Sequence, residues 1–276
     1  YLNGIDFERN ADRGIELITK ASDQGLSEAI VKLMDIYKYG DGVKQDVAKY
    51  VMLNDRLVSI LLKRFYETKD KNLAISIMQL YTSSMSEIYR LTGDGSYIDE
   101  WCKKALIFAD SIVNEVDFRT KCDFKGIIYS NLGKLAEDNL DLSKAKQYYK
   151  YILEMEYPEL EETQFRTNIG EVYISLGNIE IKEKNFNEAK KFYNQSIESS
   201  KKACEMWCNN APLYSMRKAF KGLASIEEYQ GNFEGAEVLY QKCLELGQLI
   251  TERDVSKNIM CSIFAEDCLS LGHIYY

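Results

Sequence analysis

Seven cysteines and one histidine are the residues that most invite a chemical reading. Cys204 and Cys208 stand one helical turn apart, and Cys261 and Cys268 share a helix face at i and i+7. A structural zinc site needs four nitrogen or sulfur ligands, and His273 is the single imidazole available. The thiols therefore read as small apolar core residues, and their odd number, scattered along helices, points to a reducing compartment rather than a disulfide framework. Gly40-Asp41-Gly42 and Gly93-Asp94-Gly95 resemble nucleotide or calcium loops only superficially. A phosphate loop needs a following Lys-Ser or Lys-Thr or a strand before it, and a calcium loop needs acids at fixed spacing that close on Glu. Both segments read as tight interhelical turns with positive φ. Among 43 acidic residues no pair is singled out by spacing for acid–base work, and no Ser or Cys stands beside a recognisable base. The chain is expected to be no enzyme, to hold no cofactor and no metal, and to act by binding.

The elements that would position a binding surface are written three times between residues 126 and 246. The series is Tyr129, Leu132, Gly133, Ala145, Tyr149, then Tyr173, Leu176, Gly177, Ala189, Tyr193, then Phe220, Leu223, Ala224, Ala236, Tyr240. From small residue to alanine the distance is 145−133, 189−177 and 236−224, which is 12 each time. Two antiparallel helices can approach to roughly 8–10 Å only where side chains are small, and the flanking Leu and aromatic residues at i, i+3 and i+4 would fill the groove to the next hairpin. The pattern resembles the tetratricopeptide repeat, whose hairpins must stack because none buries its apolar face alone. The repeat spacing is 177−133 = 44 and 224−177 = 47, against roughly 34 in the ordinary repeat, so the helices are expected to be longer and the hairpins taller. That brings the resemblance nearest to long-helix members of the family, bacterial peptide-sensing regulators among them.

The N-terminal stretch follows a related grammar. Ile15, Leu17, Ile18 and Ala21 mark an amphipathic helix over 11–25 that stops at Gly25; Ser27 is placed to cap a second helix carrying Ala29, Ile30, Leu33, Met34 and Tyr37. Gly40-Asp41-Gly42-Val43 followed by Asp46 resembles the loop of the Sel-like repeat, with Gly4-Ile5 as the tail of a preceding copy. Residues 47–66 are apolar almost all round, which predicts deep burial or a packed junction. Helices over 73–91 and 97–115 would form an eroded hairpin, since Trp101 stands 44 before Ala145. Beyond it helices are expected at about 118–139, 142–156, 159–183, 186–208, 213–230, 233–249 and 253–274, with Pro158 and Pro212 at helix starts and Gly272 in the first half of a fourth unit. The expected architecture is an all-α, right-handed α-solenoid of about 12 helices: a Sel-like region over 1–66, a degenerate hairpin junction over 67–117 and a tetratricopeptide array over 118–276.

In this family the first helix of each hairpin lines the concave surface. The resemblance therefore implies contacts from Asn131 and Lys134, then Ile174, Asn178 and Lys182, then Lys218, Lys221 and Ser225. Lysines and asparagines on successive inner helices of an acidic protein favour an acidic segment or a C-terminal carboxylate as ligand. The arrangement resembles the carboxylate clamp of chaperone-binding members, with two departures: Ile174 stands at the first clamp lysine and Gly222 at the second clamp asparagine. A face simply solvated and balanced by Glu137, Asp138 and Glu228 is the competing reading. The tyrosines at repeat positions read as core, with hydroxyls reaching the rim.

A formal charge of −8 argues against non-specific nucleic-acid binding. No apolar run approaches the roughly 20 residues of a membrane span. The start at Tyr1, without a signal segment, reads as that of a piece of a larger cytoplasmic bacterial protein. The function expected is a non-catalytic scaffold that binds a protein or peptide; the alternative is a peptide-sensing regulatory domain whose output domain lies elsewhere. A homodimer is left open by the apolar residues between Leu271 and Tyr276.

Overall fold

Only two prolines interrupt the sequence, and glycine or an Asp/Asn residue falls at most of the breaks in its apolar periodicity, so the backbone partitions into helices joined by tight turns. The computed structural model describes residues 10–93, 95–112, 114–155, 165–206 and 210–253, with 269 and 272. The described residues form eleven helices and no strand. The expected features at Gly4-Ile5, Asp94, Pro158, Cys208, Cys261, Cys268 and His273, and almost all of the helix expected over 253–274, lie outside them.

The chain divides into two compact units, Tyr1–Leu135 and Ala136–Tyr276. In the first, α1 (Ala11–Asp23), α2 (Ser27–Tyr39), α3 (Val47–Thr68), α4 (Lys71–Thr92) and α5 (Ser96–Ser111) pack each on the next. Their starts are set by side chains that satisfy free helix N–H groups: Asn10 accepts from the Arg13 N–H at 2.9 Å, Asp46 from Lys49 at 3.0 Å and Asp70 from Asn72 at 2.7 Å. Ser27 does not cap α2 as its type predicted. It is the first helical residue, and Leu26 holds the cap position without a side-chain bond. In the expected loop Gly40 and Gly42 both adopt left-handed φ, at 74° and 76°, and a Cβ on Gly42 would stand 2.8 Å from that of Ala11. Glycine there allows the loop to close on α1.

Helix α3 corrects one expectation. Tyr50, Val51, Leu53, Leu57, Val58 and Phe65 are buried against α2 and α4, but Met52 is 61% exposed and Ile60, Leu61 and Leu62 are half-buried. An apolar circumference is covered only where a neighbour lies, and α3 keeps one side open. Toward the end of the unit Trp101 packs edge-on to Tyr81, with ring centroids 5.4 Å apart, and Phe65 packs the same way on Phe108. Cys102 lies 3.2 Å from Met85 Sδ, and burial pushes its thiol up to about 12, so it behaves as a core atom. Cys122 and Cys243 are buried likewise.

Helix α6 (Phe118–Asp138) runs across the boundary between the units. The second unit then contains α7 (Leu142–Glu154), α8 (Phe165–Lys182), α9 (Phe186–Met206), α10 (Ala211–Tyr229) and α11 (Phe233–Arg253). Helices α8 with α9 and α10 with α11 form hairpins, α10 packs on both helices of the hairpin before it, and α7 packs on α8. At 21 residues, α9 and α11 are each about 31 Å long, which makes the tall hairpins the wide repeat spacing predicted. No described helix is long and apolar enough to cross a membrane.

Candidate partner-binding surface

The surface is held by a loop that recurs at fixed distance from the small residue of each first helix. Seven residues after Gly133, Gly177 and Ala224 stand Leu140, Lys184 and Gly231, all left-handed at φ 61°, 64° and 77°. Each first helix closes with the same pair of bonds: Leu140 N–H to Glu137 and Asp141 N–H to Ala136, then Lys184 to Ile181 and Asn185 to Glu180, then Gly231 to Glu228 and Asn232 to Glu227. The next position is always Asp or Asn. Asp141 accepts from Lys144 N–H and Asn232 from Gly235 N–H, which starts α7 and α11.

Leu140 is 82% exposed and gains nothing from its side chain. Leu140→Gly is expected to stabilise the protein by about 1 kcal/mol, because the left-handed region costs a residue with a Cβ roughly 1–2 kcal/mol and glycine's extra unfolded freedom offsets only part of that. In urea the midpoint should rise at unchanged slope; a fall would show that Leu140 makes a contact worth more than the strain.

Behind the loop, Ala145, Ala189 and Ala236 are fully buried and Tyr149, Tyr193 and Tyr240 nearly so. Burial alone favours the neutral phenol, and it pushes Tyr240 up to about 12. Each hydroxyl finds a partner at the rim. Tyr149 donates to Glu137 at 2.8 Å and Tyr240 to Glu228 at 3.0 Å, both four residues past the small position. In the middle repeat that position is Ile181, and Tyr193 turns to Asn178 at 2.7 Å. Its ring lies against two glycines at once: a Cβ on Gly177 would stand 2.8 Å from it and one on Gly222 only 2.4 Å. In this repeat the small residue thus admits the tyrosine of the second helix, rather than merely letting two backbones approach.

The residues expected to bind divide between the units. Asn131 and Lys134 lie on α6 in the first, where the Asn131 amide stands 3.9 Å from Met85 Sδ. The second unit brings Asn178 and Lys182 on α8 beside Lys218, Lys221 and Ser225 on α10. Asn178, Lys182, Lys218 and Ser225 are exposed, but none is idle. Asn178 accepts from Tyr193, Lys182 reaches Glu137 at 3.4 Å, Lys218 pairs with Glu171 at 2.8 Å and Ser225 donates to the Lys221 carbonyl at 3.1 Å. Ile174 is 6% exposed, packed with Tyr193, Ala219 and Leu223, and so cannot be a contact residue. Gly222 must be small to admit the Tyr193 ring, so an asparagine there would collide. Both departures from the clamp pattern are therefore packing requirements. Glu171, missed in the sequence, sits six before Gly177 as Lys218 sits six before Ala224; that equal offset was the available signal.

Comparison with known proteins places these elements. The tetratricopeptide repeat family model matches residues 167–202, within α8 and α9. The crystal structure of BtubC (BKLC) from P. vanneervenii is similar at 16% identity and TM-score 0.63, over 84% of this chain and 84% of that one. At that identity the likeness concerns the fold alone. The crystal structure of c5321, a protective antigen present in uropathogenic Escherichia coli strains and displaying an SLR fold, aligns over 99% of this chain and 80% of that one at 15% identity, but its TM-score of 0.23 supports no shared arrangement. No curated protein matches the sequence. With a tetratricopeptide repeat recognised over residues 167–202 and its loop geometry written again in the hairpin that follows, this part of the chain is built of tetratricopeptide-type hairpins within an all-α solenoid fold, and repeats of this kind serve as protein–protein interaction scaffolds.

Proposed function

We propose that the protein is a non-catalytic scaffold that docks a partner segment across the first helices α8 and α10, and that the segment is acidic or ends in a free carboxylate. One observation carries the reading. Lys218 and Glu171 hold each other at 2.8 Å on adjacent first helices, with side chains 52% and 43% exposed. A pair so wet contributes little to stability, and a ligand carboxylate can take the place of Glu171 at small cost. Lys221 and Ser225 continue the row along α10, and Asn178 and Lys182 flank it on α8. Docking on helices already packed spares the partner the cost of ordering the groove.

Titration of a short glutamate-rich peptide with a free C-terminus, followed by fluorescence anisotropy at low salt, tests the proposal. Lys218→Glu with Lys221→Glu is expected to weaken binding by about tenfold or more, equivalent to roughly 1.4 kcal/mol, and added salt to weaken the parent complex. Unchanged affinity in the double variant overturns the assignment. Scattering on the same complex separates the scaffold, which keeps its dimensions, from a peptide-switched regulator, which compacts.

A further inference from the structure

Three ion pairs in the second unit, centred on two lysines, are neither exposed nor isolated. Lys146 lies 2.6 Å from Glu180 and 2.6 Å from Glu183, and Lys190 lies 2.6 Å from Glu227. The Glu180 and Glu227 side chains retain 10% and 19% of their exposure. Each glutamate has a second donor from its own hairpin loop, Asn185 to Glu180 at 2.8 Å and Asn232 to Glu227 at 2.6 Å. Burial pushes the Glu180 carboxyl up, yet Lys146 and Asn185 together bring it below its ordinary value.

The positions repeat. Lys146 and Lys190 each follow the repeat alanine, 145+1 and 189+1, and Glu180 and Glu227 each stand three past the small residue of the next first helix, 177+3 and 224+3. The series does not extend at either end. The corresponding position in the first repeat is Ala136, and the residue after Ala236 is Glu237. The tyrosine contacts beside these rungs sit at equivalent positions, Tyr149 meeting Ser175 and Tyr193 meeting Gly222, each two before the next small residue, so a small residue at that offset is all that either ring asks of the neighbouring helix. Apolar stripes this similar also admit a slipped or misplaced hairpin.

We propose that the Lys146–Glu180 and Lys190–Glu227 rungs are a pairing code that fixes which hairpin stacks on which, and in what register. A slip of one helical turn moves the lysine about 5.4 Å from the more buried carboxylate, so Glu180 or Glu227 loses its cation, while Lys146 keeps only the more exposed Glu183 and Lys190 only the Gln230 amide oxygen, 3.0 Å away in the native register. The tyrosine contacts supply cohesion; the rungs supply order.

Charge exchange in the whole chain tests this. Lys190→Glu is expected to lower the thermal midpoint by roughly 5 °C or more, and Lys190→Glu with Glu227→Lys to recover most of the loss. The mismatched combination of Lys146→Glu with Glu227→Lys should recover none. A matched exchange no better than the mismatched one overturns the code. Because reversed charges sometimes prevent folding altogether, an apolar pair, Lys190→Met with Glu227→Leu, provides a second arm. It should keep the midpoint within a few degrees while doubling amide signals from α10 as slipped registers become populated; a single native set of signals overturns the proposal.

Discussion

Gly222→Ala should destabilise the second unit by about 3 kcal/mol, the upper end of the range for overpacking a well-filled core. The added Cβ would stand 2.4 Å from the Tyr193 ring, too close for any pair of carbon atoms. Relief by rotating the ring is resisted, because Gly177 also lies against it and its hydroxyl is held by Asn178 at 2.7 Å. Nor can α10 retreat cheaply, since Ala219 and Leu223 belong to the same core cluster as Tyr193. Urea denaturation with the double variant Gly222→Ala, Tyr193→Leu distinguishes this collision from a general intolerance of the site. The smaller side chain should absorb the methyl, so the two losses should fall short of additive by on the order of 1–3 kcal/mol. Strict additivity would mean that the ring is not what Gly222 accommodates.

Trp101→Ala should be the most damaging single truncation in the first unit, at about 3–5 kcal/mol. Trp101 is 2% exposed and stands edge-on to Tyr81, which itself tilts against Phe108, so its removal opens a cavity bounded by rings that cannot collapse into it. Trp101→Phe should recover about half of the loss by refilling part of the space, with stability read from the urea midpoint. A loss below about 1 kcal/mol for the alanine variant would place Trp101 at a site that relaxes freely, contrary to its packing.

Much of this architecture was legible in the residues. Glycine punctuates the helices because it adopts the left-handed backbone of a tight turn and Asx because it caps free N–H groups, so Gly25, Gly40, Gly93 and Asp46 announced their turns. The equal spacing of small residue, alanine and tyrosine announced the hairpins for the same kind of reason: only certain sizes fit where helices touch. What stayed hidden depended on neighbours distant in sequence. Ile174 occupies a position taken by Lys221 one repeat later, and only the packing of α8 on α9 and α10 sends the one inward and leaves the other at the rim. Lys146 and Glu180 are 34 apart, and no helical periodicity links them; their pairing emerges only when α7 is laid on α8. Leu140 and Lys184 do the work of glycine in the left-handed position without being glycine, so the turns they make were inferred from spacing rather than residue type.

Every feature that joins one hairpin to the next is measured from the loop. The left-handed residue, the Asx cap, the alanine and the tyrosine keep constant offsets in all three repeats, and the lysine does so in the first two, although the repeats themselves differ by 47−44 = 3 residues. The difference falls between the tyrosine and the acidic or basic residue of the next first helix: 171−149 = 22 in one case, 218−193 = 25 in the other. One rim of the array is thus calibrated and the opposite rim adjustable. A residue added between Gly177 and Tyr193 would rotate everything after it by about 100° and break the joints, whereas whole turns added at the far rim would raise the height of the wall and leave them intact. Height can therefore change on the side that carries no joinery without disturbing the contacts between hairpins.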